Sequence, residues 1–347
     1  MRDQSYFSKK VTFLNVMLTI FIVLLHAETP LRFGVALDKS YPFIYSVFTL
    51  VQLGVPMFFF ISAVLFFKQC TFADLEKKYE RRIFSLLIPY LLWNTIFVIV
   101  YVILLHIPFI QERMHMSPDI LDTPREILGA IIQSRCTPLW FVKDLMLLTL
   151  LAPVILLLLK DMRWMLVAFI VSLAIAVAGN YSYENIIIWI PVYLQGAVVG
   201  HSSFQSGSYR SLDSIIQGKY GKIFLCVVLM ALLAILYVFL YRDHSCIRVF
   251  RYCAPIVVWG LFDFLFRDYI NNKFVVKSWM NYMFIIYCMH HFILNVLQKI
   301  ISTQFAPTRI ILNLTYIATP IITVLIIICI SQYMSRFSFY KYFSGGR

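Results

Sequence analysis

Long apolar runs, broken by short clusters of charge, proline and glycine, recur from one end of the chain to the other. An α-helix rises about 1.5 Å per residue, so about 20 apolar residues cross the hydrocarbon of a bilayer. On that spacing the pattern predicts helices over about 11–27, 43–67, 83–105, 138–159, 164–179, 186–200, 223–241, 252–266, 279–297 and 310–334. These make an all-α, polytopic integral membrane protein of about ten transmembrane helices, with residues 1–347 as a single domain. Helices satisfy their own backbone polar groups, which lipid cannot do. The longest loop, about 107–137, suits a lid or a short surface helix, and the sequence shows no repeat, low-complexity tract or soluble partner domain.

Composition strengthens this picture. The 347 residues are 61% hydrophobic and 14% charged, with a mean hydropathy of +0.80, more than a water-soluble core requires. A net charge of +13 raises the question of nucleic acid, but the basic residues are spread through short loops and form no stripe or tail, so no nucleic-acid partner is expected. Topology explains them better. An even helix count puts both termini on one side, and the segments on that side carry about twice the Lys and Arg of the others, which makes the termini cytoplasmic. The seven cysteines include no CxxC pair, so free thiols and no metal are expected. The N-terminal charge and apolar run outline a signal peptide but lack a small-residue cleavage pattern, and are read as a retained helix.

Polar groups inside lipid need a partner or a cavity, so the few polar residues in apolar runs are the shortlist for function. They are Asn15 and His26 on the first helix, Ser62, Asn94, Lys143 with Asp144, Gln195, Asp263, and His290 with His291. His26 closes its run, where an interfacial histidine can bond headgroups or serve as a general base or transient acyl carrier. Neighbouring helical residues point about 100° apart, so one of His290 and His291 faces any cavity, and His290 is favoured. Lys143 and Asp144 fit either interhelical ion pairing or, respectively, attraction of an anionic group and orientation of a histidine. Trp140 and Phe141 fit an interfacial aromatic belt. In the second helix Pro56 disrupts backbone bonding, and Ser62 and Ala63 permit close packing. Lys77, Lys78, Arg81 and Arg82 precede the third helix, where positive-inside bias or a phosphate-bearing ligand accounts for them.

Five segments together resemble the membrane acyltransferase type 3 family over nearly the whole chain. FLNVMLTIFIVLLHA is similar to the family segment ending in its functional histidine, which falls on His26. GVPMFFFISAVLF resembles the second-helix pattern, with Ser62 in the serine position and Ala63 where glycine is usual. RRIFSLLIPYLLWN resembles the basic segment leading into Pro89, with Arg82 as the family's arginine. TPLWFVKDLMLLTLLAP, containing Trp140, resembles the Leu-Trp-Phe segment, and MFIIYCMHHFIL the late Tyr and His motif, falling on Tyr287 and His290. Two departures concern the donor: Asn15 stands where an arginine is common, eleven residues before the histidine, and Ser85 where a second basic residue is frequent.

The resemblance implies a multi-pass enzyme of the cell membrane, the bacterial cytoplasmic membrane in particular, that moves an acyl group from cytoplasmic acyl-CoA to a hydroxyl of an extracytoplasmic glycan or lipid-linked saccharide. Acetyl-CoA would be the co-substrate, without a metal. His26 would be the base or acyl carrier, with His290 and Asp144 assisting; Arg81, Arg82 and Asn15 would hold the donor, and Lys143, Trp140, Ser62 and Tyr287 would contact substrate. A transporter or flippase of a lipid-linked glycan, or an inactive scaffold relative, are the rival expectations.

Overall fold

The computed structural model describes residues 2–105, 107, 123–133, 137–205, 207–216 and 218–346, which are mostly helical and include no strand. The main helices are α1 (Arg2–Leu25), α2 (Pro42–Val51), α3 (Gly54–Phe67), α4 (Leu75–Arg82), α5 (Ile88–Leu105), α6 (Pro124–Ile132) and α7 (Trp140–Leu150). They continue with α8 (Ala152–Leu159), α9 (Met162–Ala178), α10 (Ile190–Ser202), α11 (Lys219–Arg242), α12 (Ile247–Leu265), α13 (Met283–Gln304) and α14 (Arg309–Met334). Among the described residues seven helical stretches are long and apolar enough to cross a membrane, or eight if α7 and α8, bent by 53°, form one broken span. The stretches through α9 and α10 are apolar but shorter, so two of the ten predicted segments fall below crossing length. The chain is a multi-pass membrane protein. Most of the predicted loop at 107–137 lies outside the described residues; among those described, α6 is a short helix opened by Pro124 and a capping box between Thr123 and Glu126.

Proline places the breaks. A proline has no N–H and its ring crowds the carbonyl four residues earlier. The predicted single helix over 43–67 is divided at Gln52 and Leu53, with Pro56 four residues beyond Gln52. Pro153 parts α7 from α8, and the carbonyl it releases, that of Thr149, accepts a hydrogen bond from the Tyr79 hydroxyl at 3.4 Å. A π-helical turn, Ile83–Leu87, joins α4 to α5 just ahead of Pro89.

Helix α3 lies against α10 almost backbone to backbone. A Cβ added at Gly196 would stand 2.3 Å from the Phe60 carbonyl oxygen and 2.8 Å from the Ala63 Cβ, and one at Gly200 would stand 2.5 Å from the Val64 oxygen. Gly196 and Gly200 form a Gly-x-x-x-Gly stripe, and Ala63 is the small residue facing it, as its size suggests. The α3 residues on the seam, Phe60, Ala63, Val64 and Phe67, have helical spacing, and so do Phe58, Ile61, Ser62 and Leu65 on another face.

Helix α1 starts nine residues before its predicted beginning because Lys10 belongs to the interior and not to a loop. Its Nζ is 2.8 Å from Asp263 Oδ1, donates to the Trp259 carbonyl at 2.8 Å, and sits 3.7 Å over the Trp259 ring. The Tyr6 hydroxyl at 2.9 Å and the Leu212 N–H at 2.9 Å also donate to Asp263, so the carboxylate, 1% exposed at its side chain, is fully engaged.

Two outcomes follow for thermal unfolding in detergent. Gly200→Leu drives a branched side chain into the α3 backbone and should cost upward of about 3 kcal/mol. Lys10→Met strands a buried carboxylate and should cost about 3–5 kcal/mol, most of it regained in Lys10→Met combined with Asp263→Leu.

Candidate active site

Helix α1 ends at Leu25 and the chain leaves its last turn through His26. The final carbonyls of a helix lack intrahelical partners. The Ile22 carbonyl is 2.9 Å from His26 Nδ1, and it also accepts the His26 backbone N–H at 3.2 Å. A carbonyl only accepts, so Nδ1 carries the proton and donates it. That assignment leaves the His26 Nε2 lone pair for chemistry. His290 on α13 is held in the same way: its Nδ1 donates to the Tyr287 carbonyl at 2.7 Å and to that of Ile286 at 3.2 Å. Its Nε2 therefore faces the His26 Nδ1–H, 3.4 Å away, and the ring centroids are 5.0 Å apart. His291 also approaches His26, at 5.5 Å between centroids, but its ring is within hydrogen-bond distance of Asn295, whose Nδ2 is 3.2 Å from its Nδ1.

His26 lines a cavity of about 270 Å³ with Glu28, Gln52, Trp140, Tyr183 and Glu184 among its walls. A second cavity, of about 110 Å³, lies on the other side of Phe58, Phe141 and Tyr287 and is lined by Asn15, Thr19, Ser62 and Arg82. Asn15 and His26 are eleven residues apart, about 16 Å of helical rise, so the two cavities occupy different depths of α1. The Arg82 guanidinium donates through Nη2 to the Ser62 carbonyl at 3.2 Å and lies over the Phe66 ring at 5.6 Å. The Tyr287 hydroxyl donates to the Pro138 carbonyl, tying α13 to the turn before α7.

The structure thus brings His26, His290, Trp140 and Tyr287 around the first cavity or against it, and Asn15, Ser62, Arg82 and Tyr287 around the second. Among the described residues it does not bring Asp144 to a histidine. Both imidazoles take backbone carbonyls as orienting partners, while Asp144 is 2% exposed with an Oδ2 that has no hydrogen-bond partner. Lys143 lines neither cavity, and Arg81 is exposed on α4. Trp140 is 8% exposed and packs 5.6 Å from Tyr183 and 5.9 Å from Trp189, so with Phe141 it forms a cavity wall and not an interfacial belt. Sequence reasoning missed Glu28, Glu184, Tyr183 and Phe58. Only Phe58 left a signal, the helical spacing it shares with Ile61, Ser62 and Leu65.

A family model described as an acyltransferase domain matches residues 11–336, and the chain belongs to the membrane acyltransferase type 3 family. It is therefore a membrane acyltransferase. No curated protein and no solved structure matches it.

If His290 acts by holding the His26 tautomer, His290→Phe should lower kcat by about 10²-fold or more with little change in KM, measured on purified enzyme at saturating donor.

Proposed function

We propose that this chain transfers an acyl group, acetyl in the simplest case, from cytoplasmic acyl-CoA to a hydroxyl of an extracytoplasmic glycan or lipid-linked saccharide at the cell membrane. One observation carries the proposal: a histidine with a free Nε2 in one cavity is backed, across a thin aromatic wall, by a second cavity holding the arginine that the family resemblance assigns to the donor. An enzyme joining substrates from two compartments needs such a pair of half-sites. A flippase needs one passage wide enough for its cargo, and the wall argues against that.

On this reading the donor's phosphates are caught near the exposed Arg81 and drawn to Arg82, while Asn15, Thr19 and Ser62 offer polar contacts along its arm. Asn15 supplies hydrogen bonds where an arginine would supply charge, so Arg82 carries more of the electrostatic attraction. The acceptor enters the His26 cavity, where the Trp140 and Tyr183 rings and the Glu28 and Glu184 carboxylates suit a sugar's apolar face and its hydroxyls. His26 Nε2 takes the acceptor's proton as its oxygen attacks the thioester carbonyl carbon. The C–S bond then breaks, and the departing thiolate recovers the proton from the imidazolium. A thioester is already activated, so alignment and proton transfer supply most of the acceleration; proximity alone is worth up to about 7–11 kcal/mol in well-oriented cases.

His26→Ala should abolish transfer from acetyl-CoA while the protein still reaches the membrane and elutes as the wild type does. Mass spectrometry of surface glycans from cells with and without the intact gene reads the product. Wild-type acylation by the alanine variant would remove His26 from the chemistry.

A further inference from the structure

The walls of the two cavities have three residues in common, Phe58, Phe141 and Tyr287. Each comes from a different helix, α3, α7 and α13, so the boundary between the cavities is one aromatic ring per helix. The centroids of Phe58 and Phe141 are 5.9 Å apart, and those of Phe141 and Tyr287 6.1 Å. The three rings are not held equally. Tyr287 is buried and its hydroxyl is committed to the Pro138 carbonyl, so moving it breaks a hydrogen bond in a dry setting. Phe58 and Phe141 are half-buried, have no polar atom to anchor, and are kept in place by ring contacts worth about 0.5–1.5 kcal/mol each. Both rings border a cavity on either side, so turning them breaks ring contacts alone, the tightest being that of Phe141 with Phe59 at 4.5 Å, and no hydrogen bond.

We infer that Phe58 and Phe141 form a swinging partition, closed against the fixed ring of Tyr287, which keeps the donor and acceptor half-sites apart until the donor's arm displaces it. The separation of the cavities stands on geometry; what displaces the partition rests on the acyl-CoA reading above. The chemistry gives the device a purpose. A thioester standing open beside a general base in a wet cavity is hydrolysed: water adds to the carbonyl carbon, the C–S bond breaks, the thiol leaves with a proton and the acyl group departs as a carboxylic acid. Holding the thioester behind the rings until it is driven forward limits that loss and keeps a water path from joining the two faces of the bilayer. Phe58 and Phe141 are positioning residues, supplying neither proton nor charge.

The test reads access directly. In full-length protein in vesicles, with its other cysteines replaced, Ser62→Cys places a thiol in the Arg82 cavity, and a membrane-impermeant maleimide is applied from the His26 side. Labelling should be at least about tenfold faster when Phe58→Ala and Phe141→Ala are added. Equal rates with and without the two phenylalanines overturn the partition. Labelling from the Arg82 side, unchanged between the two, shows that the variant is folded; Phe141→Leu, a smaller change, carries the same comparison should the double variant fail to reach the membrane. Acceptor-free hydrolysis of acetyl-CoA, followed by thiol release from the proteins with native Ser62, should rise about tenfold in Phe141→Ala. A labelling difference in a protein that never consumes acetyl-CoA would remove the donor reading and leave the partition standing, whereas equal labelling removes the partition whatever the turnover.

Discussion

In hydrocarbon, apolar helices gain nothing from burying apolar surface against each other, so what fixes one helix on another is close contact and polar bonding. The contact between α3 and α10 is the constraint on which this site depends. Because Gly196 and Gly200 have no side chain, α3 lies down on α10 with Phe60, Ala63 and Val64 in the seam. A helix has one rotational setting for a given seam. Once that face is committed, Phe58, Ile61, Ser62 and Leu65 are presented to the second cavity without further choice. The ring at the boundary and the serine beside Arg82 are thus placed by two glycines on a neighbouring helix.

The site is also where the helices are interrupted. Gln52 borders the His26 cavity from the break between α2 and α3 and Val55 from the first turn of α3, Pro138 from the turn entering α7, and Tyr183 and Glu184 from the connection between α9 and α10. Irregular backbone at membrane depth is tolerated where it lines a cavity or is covered by protein. A second polar device, Lys10 with Asp263, lies toward the opposite end of α1 and has every bond satisfied, which marks it as a fastening for α1 against α12.

What the sequence made legible follows from which signals are local. Apolar run length and proline spacing are local, so each predicted segment falls on helix, while the ends do not follow: α1 starts nine residues early, α13 runs on to Gln304 beyond its predicted end at 297, and the segments over 43–67 and 138–159 are each divided in two. The family motifs named His26, His290, Arg82, Ser62 and Tyr287, and the structure places all but His290 on two adjoining cavities, with His290 buried behind His26. The misses share a cause. Lys10 resembled a loop charge because its partner is 253 residues away. Asp144 fits either an interhelical ion pair or a histidine partner by type alone, since which neighbour a side chain meets is set by helix rotation, which the local sequence does not encode. Glu28, Tyr183 and Glu184 lie in connections, where neither periodicity nor hydropathy marks a lining residue.

The histidine pair shows how little additional machinery the chemistry requires. In a carboxylate-backed base, a buried acid holds the tautomer and stabilises the imidazolium that forms. Here both Nδ1 atoms are held by carbonyls of their own helices, a second imidazole lies behind His26, and the Glu28 carboxylate lines the same cavity without holding Nδ1. A carbonyl orients as well as a carboxylate does, but it contributes a dipole and no full charge, so the imidazolium gains less from its Nδ1 partner than from a buried acid. Such a base is matched to a reaction whose acyl group arrives activated and whose leaving thiolate is stable. It would be poorly matched to cleaving an unactivated amide.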